Sequence, residues 1–152
     1  MGLDMYLTAK KHISNFDFYD KEKEVNMQVK KVLGLEHLDG DDAGIEVAIT
    51  VAYWRKANQV HAWFVENCQD GKDECQETYI ERHQLEELRD LCNKAVDEQD
   101  ANLLPPRSGF FFGSTEVDEF YWSDIEHTRK VLNDILSDEA LKGYDFYYQS
   151  SW

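Results

Sequence analysis

The stretch Ile45-Glu-Val-Ala-Ile-Thr-Val-Ala-Tyr53, followed at once by Trp54-Arg-Lys-Ala-Asn-Gln-Val-His-Ala-Trp63, decides the fold class. Ile45, Val47, Ile49, Val51 and Tyr53 recur at period two, the signature of a strand. Ala48, Thr50 and Ala52 on its other face are small, which predicts a central strand packed on both sides rather than an edge. After Tyr53 the period changes. Ala57, Val60, Phe64 and Cys68 fall on one helical stripe, predicting a helix over about 55–69 that ends before Gly71.

Working outward, Leu3, Met5, Leu7 and Ala9 alternate with polar residues as a strand near 2–11, and Tyr144, Phe146 and Tyr148 do so near 144–150. Residues 78–81 are a candidate short strand. A basic helix is expected near 21–33, with Val25, Val29 and Val32 or Leu33 on one face and Gly34 as its C-terminal cap. Leu38–Gly44 is an acidic, turn-rich loop. Leu85, Leu88, Leu91, Cys92, Ala95 and Val96 mark an amphipathic helix near 83–98. Val117, Tyr121, Ile125, Thr128, Leu132 and Ile135 mark another near 115–137, with Ser114 or Thr115 as its cap. The order predicts an α+β fold, a mainly antiparallel sheet covered by helices, in a single domain spanning 1–152.

The 152 residues carry 31 acids against 16 Lys and Arg, a formal charge of −15. Phosphate neutralisation needs clustered cations, so direct nucleic-acid binding by the whole surface is not expected. The charge is uneven. Residues 66–100 hold twelve acids against four bases and residues 114–140 hold eight against two, whereas residues 1–33 hold six Lys against five acids. Solvated helix faces explain such runs; an acidic surface imitating DNA is the sharper alternative. No apolar run is long enough to span a bilayer and no secretory pattern opens the chain, so a cytoplasmic protein with no membrane contact is expected. Cys68, Cys75 and Cys92 suit reduced, buried thiols.

The residues with chemical potential centre on Trp54–Trp63. On a helix beginning at 55, Trp54, Asn58, His61 and Val65 share a stripe beside the apolar one, and Arg55 and Lys56 fall in the first turn, opposing the dipole. Cations so placed call for a partner, either one of the chain's own acids or an anionic ligand. The second candidate is Gly109-Phe-Phe-Phe-Gly113-Ser114, where Phe111 and Phe112 offer rings to a flat group, core packing being the plainer role. It lacks the Gly-Lys-Ser/Thr of a phosphate loop. The expected ligand-binding set is therefore Trp54, Arg55, Lys56, Asn58, His61, Phe111, Phe112 and Ser114. His61, Cys68, Cys75, His83 and Cys92 match no zinc spacing, and Asp39–Thr50 lacks two calcium-loop ligands, at Ala43 and Thr50. No metal, cofactor or catalytic residue is expected. Asp124 and His127 lie three apart on one helix, as an imidazole-orienting pair or a surface pair does.

Met1-Gly-Leu-Asp-Met-Tyr-Leu7, Tyr53-Trp-Arg-Lys-Ala-Asn-Gln-Val-His-Ala-Trp-Phe64, and Leu103-Leu-Pro with Gly109-Phe-Phe-Phe-Gly113 together resemble a family of small uncharacterised proteins carried by bacteriophages and prophages. The resemblance spans residues 1 to about 136. It implies a product acting inside a bacterial host cell, and no activity transfers residue by residue. In that setting the expected function is a non-catalytic accessory protein that counters host defence by binding, by sequestering a nucleotide-like signalling ligand. The alternatives are an acidic inhibitor of a nucleic-acid-dependent defence enzyme and a small enzyme. The partner is then a host defence protein or a small anionic ligand, and a homo-oligomer is compatible with the sequence.

Overall fold

The computed structural model describes residues 2–152. It has an α+β fold, with a four-stranded antiparallel sheet and four α-helices. In chain order these are β1 (Asp4–Ile13), α1 (Asp20–Leu33), β2 (Ile45–Arg55), α2 (Asn58–Cys68), β3 (Thr78–Ile80), α3 (Arg82–Glu98), α4 (Glu119–Ser137) and β4 (Asp145–Ser151). Short 3₁₀ turns occupy Ala101–Leu103 and Glu139–Leu141. The strand order is β2-β1-β4-β3, with Thr78, Tyr79 and Ile80 opposite Tyr148, Tyr147 and Phe146. Among the described residues no helix is long and apolar enough to cross a membrane.

Three expectations need correcting. β2 lies at an edge of the sheet, and its inner residues are Ala52 and Trp54, while Ile49 and Tyr53 stay 46% and 43% exposed. Period two is the same whichever face turns inward. The strand runs past Tyr53 to include Trp54, and that indole, the largest apolar body in the strand, goes inside with its N–H donating to Thr128 Oγ1 at 2.8 Å. Consequently α2 starts at Asn58 rather than 55, so Arg55 is a strand residue and Lys56 sits in a left-handed link (φ 62°) before the helix. Likewise α4 starts at Glu119 rather than 115. Its cap is Asp118, whose carboxylate accepts from the Phe120 and Tyr121 N–H groups at 3.0 Å, and not Ser114 or Thr115.

The chain divides into two compact units, one formed by the residues up to Ala9 with Thr50–Trp152, the other by Lys10–Ile49. The first holds the apolar core. Leu3, just before β1, with Met5, Leu7 and Ala9 of β1 and Phe146 and Tyr148 of β4, packs with Val60 and Phe64 of α2, Leu85 and Leu88 of α3, and Ile125 and Leu132 of α4. Phe64 stacks on Tyr148 with ring centres 4.0 Å apart and planes within 9°. α3 and α4 pack along each other, as their apolar stripes require.

The second unit is organised by polar contacts. Its α1 buries Asn26 and Lys30. Asn26 Nδ2 donates to the carbonyls of Ile13 (3.2 Å) and Ala43 (3.3 Å), and Lys30 Nζ to that of Ala43 (2.6 Å). Asn15 Nδ2 donates to the Asp39 and Gly40 carbonyls at 3.1 and 2.7 Å. Gly34 ends α1 as expected, in the left-handed conformation (φ 70°) that glycine adopts without strain.

Candidate functional site

Three segments remote in sequence meet through backbone hydrogen bonds. The Leu3 N–H donates to the Phe111 carbonyl at 3.1 Å, and the Lys56 N–H donates to the Leu3 carbonyl at 2.7 Å. The aliphatic stem of Lys56 then lies against two glycines. A Cβ on Gly113 would stand 3.2 Å from Lys56 Cβ, and one on Gly2 would stand 3.2 Å from Lys56 Cε. Gly113 also has φ 87°, so a side chain there is strained as well as crowded.

Asn58, at the start of α2, holds this junction together. Its Nδ2 donates to the carbonyls of Phe112 (3.0 Å) and Ser114 (2.8 Å), and its Oδ1 accepts from the Arg107 N–H (2.9 Å). Both amide protons and the oxygen are thereby engaged with the 107–114 loop, and Asn58 is 2% exposed. Its role is to shape the wall, because a loop buries its backbone only where such partners exist.

The result is a cleft of about 340 Å³. Arg55, Lys56, Asn58, Gln59, Gly113 and Ser114 line it, together with Glu116, Asp118, Phe120, Tyr121 and Asp124 from the approach to α4 and its first turns. Arg55 and Lys56 are exposed, and among the described residues neither forms an ion pair. The acids differ from one another. Asp118 is committed to capping α4. Asp124 accepts from Gln59 Nε2 at 3.4 Å, and burial pushes its carboxyl above the ordinary Asp value against that hydrogen bond. Tyr121 donates to the Leu104 carbonyl at 2.9 Å, and burial pushes its phenol up to about 12, so it keeps its proton.

Of the residues expected from sequence, the cleft gathers Arg55, Lys56, Asn58 and Ser114. Trp54 and Phe112 belong to the core, and Phe111 lies half-buried outside the lining, edge-on to Phe110 at 4.7 Å. His61 is fully buried and faces another way. Its Nδ1 is 2.7 Å from the Tyr148 hydroxyl and its Nε2 is 2.9 Å from Asp73 Oδ2, while Phe112 packs edge-on to the ring at 5.0 Å. Every group is satisfied when Tyr148 donates to Nδ1 and Nε2–H donates to Asp73, which is a neutral imidazole in one tautomer. Burial depresses the His61 pKa, outweighing the opposing pull of Asp73. Asp73 is fixed in turn by the Trp152 indole N–H at 3.0 Å. Tyr148 is wholly buried, so this Asp-His-Tyr chain ends in the core rather than at a reacting atom.

His127 Nε2 lies 3.1 Å from the Tyr53 carbonyl, to which its N–H can donate. The thiols of Cys68 and Cys92 are pushed up to about 12 by burial and remain protonated. Among the described residues no group of three or more His, Cys, Asp or Glu side chains could hold a metal ion. The lining residues outside the ligand-binding set expected from sequence are Gln59, Gly113, Glu116, Asp118, Phe120, Tyr121 and Asp124, of which Tyr121 is read from sequence as a helix-stripe residue and Asp124 as a partner of His127. One signal was available: the cap Asp118 and, on α4, Tyr121 and Asp124 recur every three residues, as side chains on one side of a helix do. For Asp73 there was none, since only the tertiary fold brings it to His61.

No known protein family, curated protein or solved structure matches the chain. Function has to come from the chemistry of the cleft.

Proposed function

We propose that the protein is a non-catalytic, phage-type accessory protein of the bacterial cytoplasm that counters host defence by holding a small nucleotide-like ligand in the Arg55–Lys56 cleft. One observation carries this reading. Two cations that form no ion pair among the described residues stand at a cleft lined also by the carboxylates of Glu116, Asp118 and Asp124 and by the rings of Phe120 and Tyr121. Arg55 and Lys56 suit a phosphate, Arg in a forked, two-point geometry. Glu116 and Asp124 accept from hydroxyl or amino groups, and Phe120, 71% exposed, offers a face for stacking. Bare phosphate fits poorly, because the same carboxylates repel it. A ligand with an anionic end and a donor-rich, flat end fits both halves. The non-catalytic part of the reading rests on Ser114, the one hydroxyl of an aliphatic side chain in the lining. Its Oγ accepts from the Glu116 N–H at 3.0 Å, and no histidine or cysteine lines the cleft to activate it.

A thermal-shift screen with nucleotides and cyclic oligonucleotides tests it. A ligand present at 100 times its Kd adds about 2.7 kcal/mol, a rise of roughly 5–10 °C in Tm for a chain of this size. Arg55→Ala should abolish the rise. If no nucleotide shifts the wild-type Tm, the reading fails. An acidic inhibitor working through residues 66–100 and 114–140 makes the opposite prediction: capture of a defence enzyme that survives Arg55→Ala and weakens as salt rises.

A further inference from the structure

The polar groups lining the cleft differ in how much hydrogen-bonding capacity they have left. Asp118 spends its carboxylate on the Phe120 and Tyr121 N–H groups, and Tyr121 spends its hydroxyl on the Leu104 carbonyl. Asp124 is the exception. Among the described residues the one donor to its carboxylate is Gln59 Nε2, at 3.4 Å and shared with the Tyr121 carbonyl at the same distance. A carboxylate accepts through two oxygens and about four lone-pair sites, so Asp124 keeps most of its capacity for something else. The side chain is half-buried, and burial, which raises its pKa, makes the missing donors costly. Phe120, 71% exposed, stands four residues earlier on α4, and residues four apart are neighbours on a helix surface. A ring and an under-used carboxylate therefore sit side by side in the lining of the cleft, with Arg55 and Lys56 supplying its cations.

We infer that the ligand is a guanine nucleotide, its base lying on Phe120 with the N1–H and 2-amino groups donating to the two oxygens of Asp124. This rests on the nucleotide reading of the cleft and names the base. Guanine is the common nucleobase with two adjacent donors on its Watson–Crick edge, the pattern that a carboxylate accepts at two points. Adenine and cytosine set a ring-nitrogen lone pair beside their amino group, and uracil flanks its single N–H with carbonyls, so each turns an acceptor against the carboxylate. A site built for a donor rejects the analogue that lacks it, because the buried acceptor is left unpaired. A cleft of about 340 Å³ is at the lower end for small-molecule sites, which suits one nucleoside phosphate.

Isothermal titration calorimetry of the full chain with the 5′-monophosphates GMP, IMP, XMP and AMP tests this. IMP keeps the N1–H but lacks the 2-amino group, and should bind roughly tenfold more weakly than GMP. AMP, whose N1 lone pair would face the carboxylate, should bind at least roughly a hundredfold more weakly. Asp124→Asn turns one acceptor of the fork into a donor, and its oxygen can still accept from Gln59. That variant should lose GMP and gain XMP, which presents an N–H beside a carbonyl, with unchanged far-UV circular dichroism. The GMP and IMP comparison on the wild type decides the matter even where the variant does not fold. IMP or AMP binding as tightly as GMP, or a GMP preference that survives Asp124→Asn, overturns the inference and leaves the nucleotide reading standing. Binding of none of these and of no other nucleotide overturns both.

Discussion

α1 and α2 are the helices before and after β2 in the chain, and they bury opposite things. α2 is buried on nearly every side, and its polar members each find a partner: Asn58 the 107–114 loop, Gln59 the Tyr121 carbonyl, His61 the Asp73–Tyr148 pair. α1 buries only Asn26 and Lys30 and leaves its valines exposed or half-exposed. The difference shows that an apolar stripe locates a helix without saying what covers it. Buried polar groups follow the available carbonyls, and in the Lys10–Ile49 unit those of Ile13 and Ala43 select Asn26 and Lys30.

The sharpest way to break this contrast is Phe64→Ala. It removes the ring stacked on Tyr148 and leaves a cavity in the core, costing about 3–5 kcal/mol and lowering Tm by on the order of 10 °C. Val32→Ala, at a position 85% exposed, should change stability by no more than ~0.5 kcal/mol. Comparable losses at the two sites would mean that α1 also belongs to an apolar core.

Asn58→Ala comes next. It leaves the Phe112 carbonyl without its Asn58 donor and frees the 107–114 loop, at a cost of about 2–3 kcal/mol. The expected signature is faster proteolysis beside the exposed Phe110 together with loss of any ligand-induced Tm rise. An intact loop in this variant would show that the cleft wall stands without its clamp.

How much of this was legible beforehand follows from the range of each interaction. The strands and helices are local periodicities, and the sequence pattern places each of them to within a few residues of its observed bounds. Which face of β2 turns inward was not, because Tyr53 and Trp54 are adjacent aromatics and period two favours neither. The first turn of α2 was misplaced for a related reason: Trp54 and Arg55 extend a strand as readily as they open a helix. Arg55, Lys56 and Ser114, expected together from their types and neighbours, line one cleft. The partners of Asn58 and His61 lie 49 to 87 positions away except for Asp73, so no window of sequence shows them.

Within the Lys10–Ile49 unit, Asn26→Ala removes the side-chain donations to the Ile13 and Ala43 carbonyls and leaves only that of Lys30 to Ala43. A loss of about 1–2 kcal/mol is expected, with amide exchange accelerated across residues 10–49 and little altered in α3 and α4. Uniform acceleration throughout the chain would show that the two units open together.

The smallest effect is the dependence on pH carried by His61. Three charged or titratable groups act on its ring: Asp73 and Tyr148 by hydrogen bonds, Arg107 through its field. In the unfolded chain the imidazole titrates near 6.5, and in the folded chain lower, because burial penalises the cation more than Asp73 favours it. Between those two values the unfolded chain holds the extra proton, so stability must fall as pH drops below 6.5 and level off once the folded pKa is passed. Asp124 has the opposite sign. Its folded pKa is raised, so in the more acidic window above 3.8 lowering the pH favours the folded state. Chemical denaturation of wild type and His61→Gln, compared from neutral pH downward, isolates the imidazole, because Asp124 is common to both. The wild type should lose stability relative to the variant as pH falls below 6.5. Parallel curves would mean that His61 binds protons equally in both states, which its burial between Asp73 and Tyr148 does not permit.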